Sequence, residues 1–154
     1  MKTVHRRASQ FKRQYQADPQ TLWKTVGRTT GFSEADQIKC SLPVMAAWER
    51  LKTGAASAED VCTLADASGI CVLAAQGMDA LVLETAEAAA NTLKTVADRY
   101  VKHRVWGVDH ATLRDVPPMI DLYEELFRNA TGGQMEDWLQ VTRSCKVNAF
   151  AGGV

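Results

Sequence analysis

Helix-start signals recur along this chain so regularly that they leave little room for any other element. "DPQ" at 18–20 offers an N-cap aspartate followed by a proline at the first helical position. "SEAD" at 33–36 and "SAED" at 57–60 each put a hydroxyl at a helix start and a carboxylate three residues on. That arrangement satisfies backbone N–H groups that would otherwise lack a partner. Asp79 and Asp109 open two further segments. Between these signals apolar residues recur every three or four positions, and no alternating run long enough for a strand is present. The expected fold is all-α, a single-domain bundle of five to seven helices over 18–146. A basic N-terminal arm at 1–17, partly disordered or helical, precedes it, and a frayed tail at 147–154 follows.

The segments differ in character. A short first helix carries Leu22, Trp23 and Val26 and ends at "GRTTG". The helix from Ser33 is expected to be interrupted near Pro43, which lacks an N–H and disfavours helical geometry at Leu42. It then restarts through Trp48 and Leu51 to a stop at Gly54. The next helix runs from Ser57 to Gly77, and its "ICVLAA" is apolar nearly all round, as in a central, buried helix. From Asp79 to Arg104 a narrow seam of Leu83, Ala86, Ala90, Leu93, Ala97 and Tyr100 permits close helix approach, and Gly107 ends the unit. Asp109 caps a helix through Leu113, and "VPP" at 116–118 predicts a kink or a break. "MIDLYEELFRNA" buries Met119, Leu122, Tyr123, Leu126, Phe127 and Ala130 and exposes Asp121, Glu124, Glu125 and Arg128. A last helix from about Gln134 presents Met135, Trp138, Leu139 and Thr142 on one face.

A chain of 154 residues with 46% hydrophobic and 23% charged residues can bury a core without metal or disulfide staples. No apolar run approaches the ~20 residues of a membrane span, and the charged N-terminus has no apolar stretch behind it, so neither membrane nor secretory leader is expected. Cys40, Cys62, Cys71 and Cys145 lack C-x-x-C pairing and are read as buried, reduced thiols of a cytoplasmic protein.

Charge is where the chain is unusual. Residues 1–30 hold seven Lys/Arg against Asp18 alone, although the whole chain has zero net charge. Between Gly54 and Leu93 there is no Lys or Arg, while Glu59, Asp60, Asp66, Asp79, Glu84 and Glu87 are all acidic. Such asymmetry bears on partners and steering rather than on fold. An acidic surface of Glu59, Asp60, Asp66, Glu84 and Glu87 is one candidate binding site. Its bland counterpart is local helix-dipole compensation, since Glu59, Asp60 and Asp79 sit at helix starts. The other candidate is basic: Arg6, Arg7, Lys12 and Arg13, interleaved with Phe11 and Tyr15, together with Lys102 and Arg104, a composition suited to nucleic acid.

"DRYVKHRVWGVDH", Asp98 to His110, looks most like chemistry. Yet His103 and His110 lie seven apart, not the three or four of paired helical ligands, and no Cys is near. Lys102, His103 and Arg104 complement a helix C-terminus, and Trp106 is read as an apolar lid between two helices. No E-x-x-H, G-x-S-x-G, Walker or dinucleotide motif occurs. No metal, cofactor or enzymatic activity is therefore expected.

From about Leu42 onward the order of elements carries a resemblance. An aliphatic/Trp helix closes in "LKTG" before "SAED"; "VCTLADASGICVLAAQGMD", "RYVKHRVWG" and "LRDVPPMIDLYEELFRNATGGQMEDWL" follow. In this order the chain resembles small uncharacterised all-helical accessory proteins encoded by proteobacterial phages and prophages. The resemblance implies a setting in which a protein acts by binding a host or phage macromolecule, and it assigns no residue a role. Together with the acidic stretch it makes the leading expectation a non-enzymatic inhibitor of a host nucleic-acid-guided defence complex, a protein or ribonucleoprotein partner bound through an acidic helical surface. A nucleic-acid-associated helical subunit or regulator acting through the basic arm is the alternative. A self-associating bundle, a homodimer through the alanine seam, is the third reading.

Overall fold

The structure is a computed structural model that describes Trp23 and residues 27–151, with side chains as far as Cys145. Five helices account for nearly all of it: α1 (Glu34–Lys52), α2 (Ala58–Ala75), α3 (Ala80–His103), α4 (His110–Asn129) and α5 (Gly132–Ala151). The all-helical bundle expected from the capping signals is what forms. Among the described residues, extended pairing is limited to a single bridge between Gly31 and Thr131. The expected arm at 1–17 and the first helix lie outside the described residues, Trp23 excepted. The expected tail at 147–154 overlaps the last turn of α5.

The helix starts form as the sequence dictates. Ser33 accepts from the Asp36 N–H, and Ser57 and Asp60 complete a reciprocal capping box. Asp79 accepts from Leu81 N–H and Asp109 from Thr112 N–H. A fifth start belongs to α5: Thr131 Oγ1 accepts from Gln134 N–H at 3.2 Å while Gln134 Oε1 accepts from Thr131 N–H at 3.0 Å. Gly54, at φ +77°, closes α1 in the left-handed conformation expected of it.

α2 is the axis of the molecule and packs against all four other helices. Its buried residues, among them Val61, Leu64, Ala67, Ile70, Cys71 and Ala75, cover one half of its surface, and within "ICVLAA" Val72 and Leu73 on the other half are themselves half-buried. Gly69 lets α5 come close, because a Cβ there would collide with the Thr142 side chain. α3 packs on α2 and α4, and α1 packs on α2 and α4. Phe127 centres an aromatic group with Phe32 at 5.0 Å, Tyr123 at 4.9 Å and Trp23 at 6.0 Å between ring centroids. The segment before α1 is held to the start of α5 by Gly132 N–H to Thr30 O and Gly133 N–H to Arg28 O. A Cβ on Gly132 would meet the carbonyls of Trp23 and Gly27, so only glycine permits this approach.

The expectations for the prolines and for two of the cysteines are corrected. Pro43 does not interrupt α1, which is one helix of 19 residues, and Pro117 and Pro118 lie inside the 20-residue α4 without ending it. The prolines leave the carbonyls of Lys39, Leu113 and Arg114 without their usual donors, and all three residues are exposed, so water can serve. α3 reaches its C-cap at Arg104, where its end was expected, and that residue is left-handed at φ +58°. Of the α3 seam, Ala86 and Leu93 are buried in the bundle and Leu83, Ala90, Ala97 and Tyr100 are half-buried, with Ala89 and Val96 buried beside them. Cys40 and Cys71 are buried free thiols as expected, but Cys62 and Cys145 are exposed.

Candidate functional site

The acidic candidates separate into tied and free groups. Asp60 is 7% exposed and turned inward. Its carboxylate takes Arg50 Nε at 2.9 and 3.0 Å, Arg50 Nη2 at 2.6 Å and the Ser57 N–H at 2.9 Å. The Arg50 hydrogen bonds, with those of Ser57, hold its pKa below the ordinary aspartate range against the opposing effect of burial. Asp60 therefore joins α1 to α2 and is withdrawn from the partner-binding surface assigned to it. Asp66 is half-buried and meets Arg143 of α5 at 3.5 Å. Glu59, Glu84 and Glu87 are exposed.

Topology decides which free acids stand together. α2 and α3 are joined by the short turn at 76–79, so they run antiparallel. Glu59 therefore sits near one end of this hairpin and Glu84 near the other. The separation along the axis is roughly 18 Å at 1.5 Å per residue. Glu59 does not share a surface with Glu84 and Glu87. α3 and α4 are likewise antiparallel, and Thr92 Oγ1 donates to Asp115 Oδ2 at 2.7 Å, which sets their register. Counting outward from that bond brings Glu84 level with Tyr123, so Asp121 and Glu125 of α4 bracket it. Asp121 and Glu125 are exposed, and helical spacing turns them toward the same outer surface as Glu84. Glu125 is paired with Arg128 at 2.9 Å. Among the described residues Glu84, Glu87 and Asp121 take part in no ion pair, and Leu81, 69% exposed, lies one turn before Glu84. The α3–α4 outer face thus gathers acids from two helices that are 34 residues and more apart in sequence. The contribution of α4 was missed because register between helices has no local sequence signal.

At the opposite end of the same hairpin lies "DRYVKHRVWGVDH", which is an ordered joint. The left-handed Arg104 turns the chain back so that Trp106 stacks on Tyr100, rings 3.8 Å apart and 4° from parallel. The Arg104 guanidinium lies 5.8 Å from the Tyr100 ring centre. Arg99 reaches across the turn to the Gly107 carbonyl at 3.5 Å and to Asp109 Oδ2 at 2.9 Å. The Thr112 hydrogen bonds, with Arg99, hold the Asp109 carboxyl below its usual range. Trp106 is half-buried, consistent with a lid. Lys102, His103 and Arg104 are exposed with Val101 and Val105. Arg6, Arg7, Lys12 and Arg13 lie outside the described residues, so the basic candidates are not brought together here.

Among the described residues no group of three or more His, Cys, Asp or Glu side chains is placed to hold a metal ion, and no helix is long and apolar enough to cross a membrane. No family model, curated protein or solved structure matches the chain. The described residues form an all-α bundle of five helices built around α2, with exposed acids of α3 and α4 that take part in no ion pair.

Proposed function

We propose that this chain is a non-enzymatic accessory binding protein of a phage or mobile element, and that its acidic α3–α4 face docks on a basic macromolecular surface. In its sharpest form the partner is the nucleic-acid channel of a host nucleic-acid-guided defence complex, which is positively charged by necessity. The observation that carries the proposal is the convergence of Glu84, Glu87 and Asp121, exposed and free of ion pairs, beside exposed Leu81. Like charges held together without local compensation cost stability, and they steer a cationic partner. The setting comes from the resemblance of the segment after Leu42. The test is target cleavage by the defence complex with purified protein. Inhibition should weaken at least ~10-fold in the triple variant Glu84→Gln/Glu87→Gln/Asp121→Asn, and wild-type inhibition should weaken as salt rises. Unchanged inhibition in the triple variant would remove the acidic face as the docking surface.

A second reading rests on the joint. Lys102, His103 and Arg104 project beside exposed Val101 and Val105 at one end of the bundle, and the basic arm adds further cations in sequence. Nucleic-acid binding by these residues would fall steeply with salt and would drop in a Lys102→Ala/Arg104→Ala variant. Gel shifts that retain no DNA or RNA at low salt would dispose of it.

A further inference from the structure

A cavity of about 60 Å³ lies between α1, α2, α4 and α5. Its inner wall includes Trp23, Cys40, Val44, Ile70, Tyr123 and Leu139. Thr63, Asp66 and Pro43, half-buried, and Arg143, exposed, line its outer side.

Trp23 makes this cavity unusual. The residue is 1% exposed, and its indole Nε1–H is the one buried side-chain polar atom without a hydrogen-bond partner among the described residues. The indole also meets Phe127, which does not line the cavity. Burial pushes the pKa of the Cys40 thiol in the cavity wall up to about 11, with the nearby Trp23 N–H opposing the rise. A thiol is a poor acceptor and leaves the N–H unsatisfied. An orphaned donor of this kind is costly in a packed interior, and the residue that carries it lines the cavity.

We propose that this cavity is a binding site for a small uncharged molecule that both accepts and donates hydrogen bonds, a primary amide of about four non-hydrogen atoms. The amide oxygen accepts from Trp23 Nε1–H, and the amide nitrogen donates to the Asp66 carboxylate at the mouth, which can serve Arg143 at the same time. The short alkyl end rests on Val44, Ile70 and Leu139. The volume is about twice the ~30 Å³ share of one water and well below the ~150 Å³ that holds a benzene ring, so larger amides are excluded. Charge selects against the alternatives. Burial keeps Tyr123 and Cys40 neutral, so an anion gains nothing at the inner wall and meets Asp66 at the outer one. A cation meets Arg143 there and an indole donor within.

The test is a titration of ¹⁵N-labelled full-length protein with acetamide, following the four tryptophan indole N–H signals, with Trp23→Phe identifying that of Trp23. The Trp23 signal should move saturably in the millimolar range while those of Trp48, Trp106 and Trp138 stay within solvent drift. Pivalamide, which is too bulky, should leave it in place, and acetate should bind at least ~10-fold more weakly. Val44→Leu, which fills the space by one methylene, should weaken acetamide ~10-fold. A Trp23 shift that rises linearly without saturation, or that all four indoles share, means a solvent-filled slot and overturns the site. Acetate binding as well as acetamide overturns the choice of a neutral ligand.

Discussion

Asp60 and Glu84 belong to the same Lys/Arg-free stretch, yet they do opposite things. Asp60 is turned into the bundle, takes a fork of hydrogen bonds from Arg50 and closes the start of α2. Glu84 stands on the outer face of α3 with no ion pair. The difference does not lie in the carboxylate or in the local sequence, since both residues fall in the first or second turn of a helix. It lies in what the neighbouring helix offers. α1 ends beside α2 with Arg50 in its last turn, whereas α4 offers Glu84 no cation, its Arg114 and Arg128 being paired with Asp115 and Glu125. An acid met by a cation becomes structure, and an acid met by acids becomes a surface potential.

Breaking the tied side should have the largest effect on stability. Asp60→Ala removes the capping carboxylate, leaves the Ser57 N–H unserved and strips Arg50 of its partner. A cap is worth ~1 kcal/mol and a partly exposed, multiply bonded ion pair about as much again, so the expected loss is ~2 kcal/mol by urea denaturation. Arg50→Ala keeps the cap and should lose about half of that. Equal losses in the two variants would mean that the ion pair alone holds α1 to α2.

The same contrast should be visible in pH. The Asp60 carboxyl is held below its ordinary range by Arg50, so the folded protein keeps it ionised where the unfolded chain already takes up a proton. Its contribution is complete above the unfolded value, about pH 4, and is lost as pH falls through the lower folded value. Asp109 and Asp115 act in the same direction, held down by Thr112 and by Arg114 respectively. Urea midpoints should therefore fall below about pH 4 in the wild type and fall less in Asp60→Ala. Parallel curves would show that Asp60 carries no linked proton.

Asp115 is the intermediate case. Its side chain is 12% exposed and accepts from Thr92 across the α3–α4 interface, while Arg114 pairs with it from the exposed outer side. Thr92→Val, which keeps the shape and loses the hydroxyl, should cost ~1 kcal/mol. Arg114→Ala should cost less than that, because its guanidinium pairs from the exposed side. If Thr92→Val is silent, the bond does not hold the register on which the acidic face depends.

These pairings also mark how far the sequence could be read. Helix starts at Ser33, Ser57, Asp79 and Asp109 were legible because a cap is settled within four residues, and α2 was legible as the central helix because its second half, "ICVLAA", is apolar nearly all round. The prolines misled because their damage depends on whether the freed carbonyls reach water, and exposure is a property of the packed molecule. The end of α3 at Arg104 was legible, but its left-handed conformation and the stack of Trp106 on Tyr100 were not, because six-residue spacing across a turn gives no warning of a ring contact. Of the acidic candidates, Glu84 and Glu87 could be found by composition. Asp121 could join them, and Asp60 be removed, only once inter-helix register and the position of Arg50 were known.

The free side of the comparison yields the smallest stability change and the most discriminating one. Glu84→Gln/Glu87→Gln/Asp121→Asn removes three charges that touch no cation, so no bond is lost and some mutual repulsion is relieved. The urea midpoint should stay within ~0.5 kcal/mol of wild type or move slightly upward. A loss as large as that of Asp60→Ala would mean that these acids are held by contacts of their own, and the contrast between tied and free carboxylates would collapse. Unchanged or increased stability combined with weakened docking separates the two roles cleanly, because surface potential is then the only property that the substitutions have altered.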